Sequence, residues 1–76
     1  MTNAEMLLEL ITPTMNTLAI MMVCNTFSEN KIIENVNSNN RVYYFIMTDY
    51  SVLTANYDIK LKEFIELSAD NGKNMK

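Results

Sequence analysis

The residues that could do chemistry in this sequence are few: one cysteine, one arginine and a handful of carboxylates. The chain has no histidine, the usual tunable base of hydrolytic and nucleophilic catalysis. Cys24 lies in an apolar run with no base nearby in sequence, which favours a small buried core thiol over a nucleophile. A glycine-rich phosphate loop cannot form, because Gly72 is the only glycine. We therefore expect a protein that is not an enzyme.

Two pairs of carboxylates have spacings that would place them on one helix face, Glu5 with Glu9 and Glu63 with Glu66. Such a pair could hold a cation or share a proton, but no further ligand stands at a suitable spacing. With one cysteine and no histidine, neither an internal disulfide nor a four-ligand zinc site can be built. We expect no metal, no cofactor, and solvated positions for these carboxylates.

The only arginine and the densest aromatic run stand together in "NVNSNNRVYYFIM", residues 35–47. An arginine beside tyrosines can stack on the bases of single-stranded nucleic acid. Proteins of that kind also have a positive groove, whereas this chain has a net charge of −3 and a pI of about 4.6. Direct nucleic-acid binding is therefore disfavoured.

As a strand, residues 41–48 alternate between two faces, and both faces are apolar. One face has Arg41, Tyr43, Phe45 and Met47, and the other has Val42, Tyr44, Ile46 and Thr48. A half-exposed antiparallel strand should instead alternate apolar with polar residues. Tyrosine and arginine are enriched at interface hot spots. We expect a protein partner to bind here, with four contact residues: Arg41, Tyr43, Tyr44 and Tyr50.

The first half of the chain predicts two helices. Residues 3–11 fit a short helix capped by Asn3, with Met6, Leu7, Leu10 and Ile11 on one face. A second helix is expected from Pro13 to Phe27 with Thr12 as its N-cap. Its apolar stripe would be Met15, Leu18, Ala19, Met22 and Phe27. Further apolar residues off this stripe predict a helix that is buried on more than one side.

A hairpin and a third helix are expected to follow. Residues 31–36 and 41–47 have strand composition, and the asparagine-rich residues 37–40 between them predict the turn. Asp49 could cap a C-terminal helix from Tyr50 to Ala69, which Gly72 would end. The stripe of this helix would be Leu53, Tyr57, Leu61, Phe64, Ile65 and Ser68. An alternative interpretation makes residues 57–62 a third strand, with a helix only after it.

The predicted fold class is therefore α+β: two N-terminal helices, a β-hairpin and a C-terminal helix in one small domain, residues 1–72. Residues 73–76 would form a flexible tail. An all-α bundle is the alternative if residues 28–47 are helical. The most apolar run, Leu18 to Cys24, is far shorter than the roughly 20 residues of a membrane-spanning helix, so we expect a cytoplasmic protein without a membrane partner.

Two functions are consistent with these features, because the chain has more apolar surface than one small domain can cover. The first is a protein-binding inhibitor that occludes a host defence or nucleic-acid-processing protein. Small acidic phage proteins are similar in kind, and the asparagine-, isoleucine- and methionine-rich composition is typical of AT-rich phage, viral or bacterial genes. The second is a structural or assembly protein that buries this surface against a second copy of itself, as a homo-oligomer.

Overall fold

The computed structural model describes residues 1–71, which form two helices followed by four strands. The elements are α1 (Asn3–Ile11), α2 (Thr17–Glu29), β1 (Ile33–Asn39), β2 (Val42–Met47), β3 (Val52–Asp58) and β4 (Glu63–Asp70). The strands make one antiparallel sheet in chain order, β1-β2-β3-β4. The class is α+β with one open sheet, and the predicted helix stop at Gly72 and tail at 73–76 lie outside the described residues.

Helix α1 has the predicted bounds but a different cap. Thr2, not Asn3, is the N-cap: its hydroxyl accepts a hydrogen bond from the Glu5 N–H at 3.1 Å, and its own N–H donates to the Glu5 carboxylate at 2.7 Å. This reciprocal pair is a capping box, which satisfies two backbone donors that the helix leaves without partners. The Thr2 N–H, followed by the Thr2 hydroxyl, lowers the pKa of Glu5.

Helix α2 begins four residues later than predicted. Thr12 cannot cap it, because Thr12 ends α1: its N–H and its hydroxyl both donate to the carbonyl of Leu8. The chain then reverses through Met15, whose backbone is left-handed at φ 47°. Asn16 caps α2 instead, accepting a hydrogen bond from the Ala19 N–H at 3.1 Å.

The predicted hairpin is confirmed, but its turn is shorter. Strand β1 continues through Asn37, Ser38 and Asn39, which pair with Tyr44, Tyr43 and Val42 of β2. Only Asn40 and Arg41 lie in the turn, and Asn40 has a left-handed backbone at φ 58°. Two-residue connections match the twist of paired strands best, so the asparagines before the turn are free to join the ladder.

The predicted C-terminal helix is wrong, and so is the all-α alternative. Residues 52–58 and 63–70 are strands β3 and β4, joined by a turn in which the Asp58 carboxylate accepts hydrogen bonds from the Lys60 and Leu61 N–H groups at 2.8 and 3.0 Å. The alternative third strand at 57–62 is also wrong, because this turn occupies its centre. Residues 59–62 therefore separate two strands instead of continuing either element.

A register shift explains why the sequence resembled a helix here. Tyr57 pairs with Phe64, but its neighbour Asn56 pairs with Glu66, so one extra residue, Ile65, is inserted in β4. The shift changes which residues of β4 face the core, from Phe64 on one side of it to Leu67 on the other. The shift breaks the alternation of β4, and the spacing of four between Leu53 and Tyr57, which share the core face of β3, fits a helix as well as a strand.

The two helices cover one face of the sheet. The core lies between the helices and the sheet. It includes Leu7, Ile11, Ile20, Cys24 and Phe27 of the helices and Phe45, Met47, Leu53, Ala55 and Phe64 of the strands. The opposite face, here called the open face, has no helix of residues 1–71 on it. Its residues alternate with those of the core along β2 and β3, and along β1 and β4 outside the register shifts at Ile33/Asn35 and at Ile65.

The connection between β2 and β3 also fixes the start of α1. The Asp49 carboxylate, which the sequence suggested as a cap for a following helix, instead accepts hydrogen bonds from the N–H of Asn3 at 2.8 Å and of Ser51 at 3.0 Å. The fully buried Ser51 hydroxyl donates to Asp49 and accepts from the Ala4 N–H at 3.0 Å. The β2–β3 turn thus holds the first turn of α1, although the bonded residues are separated by 46 or 47 positions in the sequence.

Each of the five connections contains one non-glycine residue with a left-handed backbone. They are, in chain order, Met15, Lys31, Asn40, Tyr50 and Lys62, with φ between 47° and 73°. A side chain at such a position costs roughly 1 kcal/mol or more relative to ordinary backbone geometry.

We predict that Asp49→Asn destabilises the protein by about 1 kcal/mol at neutral pH, because two N–H groups and a hydroxyl lose a charged acceptor. Desolvation alone would raise the pKa of Asp49, but hydrogen bonds from Ser51 and Asn3 together lower it below its ordinary value. Because the pKa of Asp49 is lowered in the folded protein, its carboxylate stabilises the fold above about pH 4. This stabilisation is lost as the pH falls through the pKa of the folded state.

The difference between wild type and Asp49→Asn in urea unfolding should therefore shrink from pH 7 to pH 3. Glu34→Gln, at an exposed position of β1, is the matched control and should show little difference at either pH. An Asp49→Asn deficit that is equally large at pH 3 would contradict this role of the carboxylate.

Candidate protein-interaction surfaces

The open face has a polar column at each edge; at its centre β2 is apolar, and β3 contributes Val52 together with Thr54 and Asn56. Strand register places three residues of each strand on this face, in three rows running from β1 to β4. The rows are Asn35–Ile46–Val52–Asp70, Asn37–Tyr44–Thr54–Ser68 and Asn39–Val42–Asn56–Glu66. We call Asn35, Asn37 and Asn39 the asparagine column, and Glu66, Ser68 and Asp70 the acidic column.

The apolar centre of the open face is incompletely covered. Val42, Tyr44 and Ile46 are only half-buried, although they stand on an interior strand of the sheet. Val52 is buried in its row but does not belong to the core cluster, as expected for a residue on the far side of the sheet. This face therefore has the apolar centre and polar rim that protein interfaces share.

Two of the four predicted contact residues meet at one end of this face. Arg41 and Tyr44 line an open hollow of about 580 Å³ together with Asn39, Asn40, Val42 and Ile59. Within residues 1–71, the Arg41 guanidinium has no carboxylate at ion-pair distance. The hollow thus presents an unpaired cation beside a tyrosine ring and asparagine amides.

The other two predicted residues lie elsewhere. Tyr43 points toward the helices, where its ring packs edge-on against Phe64 and Tyr57, with centroids 5.7 and 6.1 Å apart, and stacks with Phe45 at 6.4 Å. Tyr50 is 77% exposed at the tip of the β2–β3 turn, at the opposite end of β2 from Arg41. The structure therefore does not bring the four residues into one cluster.

A second surface lies on the outside of the helices. Five large apolar side chains there remain exposed, and we call them the helical surface: Met6 and Leu10 of α1, and Leu18, Met21 and Met22 of α2. Leu18 is 71% exposed and Met22 is 63% exposed, although the predicted stripe of the second helix would have buried both. Ile20, Cys24 and Phe27 face the core instead.

The sequence indicated that the second helix is apolar on more than one side, but not which side would face the sheet. A helix that is apolar nearly all round must leave some apolar side chains outside when it packs against a single sheet. The predicted stripe with Leu18 and Met22 and the observed stripe of Ile20, Cys24 and Phe27 are both apolar, so the sequence does not choose between them.

The Cys24 thiol lies in the core between the helices and the sheet. Burial raises the pKa of the Cys24 thiol to about 11, which keeps it protonated at neutral pH. Among residues 1–71, no three histidine, cysteine or acidic side chains come close enough together to hold a metal ion. No helix within the same range is both long and apolar enough to cross a membrane.

Comparison with known proteins gives no match: no family model, no curated protein and no solved structure is significantly similar to this chain. Function is therefore inferred from the geometry of these two surfaces.

The two adjacent tyrosines should respond differently to truncation. We predict that Tyr43→Ala lowers the free energy of unfolding by roughly 2–3 kcal/mol, because three ring contacts are lost. Tyr44→Ala, on the open face, should cost less than about 1 kcal/mol. Urea unfolding followed by circular dichroism measures both, and equal losses would show that Tyr44 is as much a part of the core as Tyr43.

Cys24 should resist modification in the folded protein. At pH 8, a thiol reagent should label the native chain far more slowly than the chain unfolded in urea, because the thiol is buried and protonated. Labelling of the native protein at the rate of the unfolded chain would contradict this assignment.

Proposed function

We propose that this protein is a non-catalytic protein-binding module whose helical surface binds a partner protein. The observation that carries this proposal is the exposure of five large apolar side chains on two adjacent helices, after the core beneath them is complete. Exposed apolar groups gathered on one face of a small domain are typical of protein interaction sites. Three of the five are methionines, whose flexible thioether side chains adapt to the shape of a partner.

The charges around the helical surface specify what kind of partner fits. The first 30 residues contain three acidic residues, Glu5, Glu9 and Glu29, and neither lysine nor arginine. Glu5 and Glu9 flank Met6 and Leu10 on α1. A complementary partner surface is therefore apolar at its centre and edged by lysine or arginine, which avoids like-charge contacts and speeds encounter.

Basic surfaces of this kind are typical of proteins that bind nucleic acid. The proposed action is occlusion: the module covers such a surface on a nucleic-acid-processing or defence protein, one to one and without turnover. The module would be encoded by a phage or mobile element and would act in the cytoplasm of the host, where it inhibits a host protein. The lack of histidine and the buried, protonated Cys24 support a binding role over an enzymatic one.

The helical surface can be tested with a charge placed at its most exposed positions. We predict that Leu18→Lys combined with Met22→Lys abolishes capture of the partner, because both changes put an amine into the apolar centre of the contact. Since both side chains are mostly exposed already, stability should change by less than about 1 kcal/mol. The measurement is quantitative mass spectrometry of proteins retained by the tagged module from host lysate.

The control is Ile59→Lys combined with Leu61→Lys, which makes the same kind of change and adds the same charge at two exposed apolar side chains of the β3–β4 turn, outside the helical surface. This control should retain the partner that wild type captures in stoichiometric amount. Undiminished capture by the Leu18/Met22 variant, with its fold intact by circular dichroism, would remove the binding site from the helical surface.

A further inference from the structure

The open face is separate from the helical surface, and its residues form a self-complementary pattern. From β1 to β4 each row begins with an asparagine and ends with an acidic residue or serine, with apolar residues concentrated between them. A domain with one helical layer leaves this face of its sheet without cover. A second copy of the same sheet, packed face to face at about 10 Å, would cover both apolar centres at once.

We propose that the open face is covered by a second copy of this chain, related by a twofold axis that lies between the sheets and runs parallel to the strands. The result is a four-layer dimer with the two sheets in the middle and the helices outside. The helical surface of each copy then faces outward, so this inference does not depend on the proposed function.

The charges select this axis over the alternative twofold axis perpendicular to the strands. The perpendicular axis would stack each β4 on its own copy and bring Glu66 and Asp70 of one chain against the same residues of the other. Like charges so placed are repulsive, and each chain already has a net charge of −3. The parallel axis instead places the acidic column of each copy over the asparagine column of the other, whose amide groups can donate hydrogen bonds to carboxylates.

Arg41 supplies the one cation that this arrangement needs. It lines the hollow beside Asn39, and Glu66 ends the same row at the opposite edge of the sheet. The parallel axis therefore brings Arg41 of one copy toward Glu66 of the second copy, twice per dimer. The Asn56 amide donates to the Glu66 carboxylate at 2.7 Å and so holds it on the open face.

The size of the face sets the expected strength. Four strands about 4.8 Å apart and roughly 20 Å long present a face of about 400 Å² in projection. Because side chains project from the sheet, the accessible area buried in the dimer exceeds this projected area. It reaches roughly 1,200 Å² for both copies together, at the lower end of the range for specific interfaces. We therefore expect a dimer that dissociates in the micromolar range.

Charge reversal tests the contact between Arg41 and Glu66. By sedimentation equilibrium, wild type should convert from monomer to dimer with rising concentration. Arg41→Glu and Glu66→Arg should each weaken the dimer by about tenfold or more, because each faces like charges across the interface. The double variant Arg41→Glu/Glu66→Arg restores the opposite charges and should recover most of the wild-type affinity.

Lys31→Glu is the matched control, because it changes the net charge by as much as Arg41→Glu but lies in the α2–β1 connection, at the other end of the sheet. It should leave the dimer nearly unchanged. A wild type that stays monomeric at all concentrations would overturn the proposal, and so would a double variant no tighter than the single ones. Partner capture through the helical surface would be unaffected by either outcome.

Cross-linking tests the axis itself. Asn37→Cys and Ser68→Cys stand in the same row at opposite edges, and the native Cys24 is buried and protonated. In a mixture of the two variants, one of them tagged, a short bismaleimide should join position 37 of one copy to position 68 of the other. Links of 37 to 37 and 68 to 68 instead would establish the perpendicular axis and overturn the proposal.

Discussion

One helical layer on a sheet with two faces is the constraint that shapes this protein. Two helices of 9 and 13 residues cover most of the inner face of four strands, although Val36 of β1 stays 44% exposed there, and residues 1–71 form no further element for the other face. The inner face closes into a continuous core, fixed at one end by the hydrogen bonds that Asp49 and Ser51 make with the start of α1. Everything apolar beyond that core has to remain exposed or meet another molecule.

This constraint separates two kinds of contact that the sequence had combined. The excess of apolar residues was visible in the composition, and both a foreign partner and a second copy of the chain could account for it. The structure places part of that excess on the outside of the helices and part on the open face of the sheet, while Val36, Ile59, Leu61 and Ile65 are exposed elsewhere. The first is edged by acidic residues alone, whereas the second contains both an acidic column and the only arginine, so each suits a partner of different charge.

The parts of the fold that local signals determine were predictable. Helix α1 and strand β2 have the expected type, because their apolar spacing and β-branched or aromatic content agree with their tertiary environment. The C-terminal half was predicted wrongly, since the inserted residue Ile65 breaks the alternation of β4 by which a strand is recognised. Which face of β2 is outward could not be predicted, because Tyr43 and Tyr44 are chemically identical and only the position of the helices distinguishes them. The start of α2 was misplaced because Thr12-Pro13 and Asn16 both have the composition of a helix start, and the structure uses Asn16.

The left-handed residues in the connections show how strain is distributed in this molecule. In many enzymes, unusual backbone conformations gather at the catalytic centre, where they hold reactive groups in place. Here each connection has one, and Met15, Lys31 and Lys62 belong to neither the open face nor the helical surface. Conformational energy is thus spent on reversing the direction of the chain five times within 71 residues. The left-handed residues therefore serve the fold itself. Residues of the two surfaces can be replaced without changing the conformations at which the chain reverses.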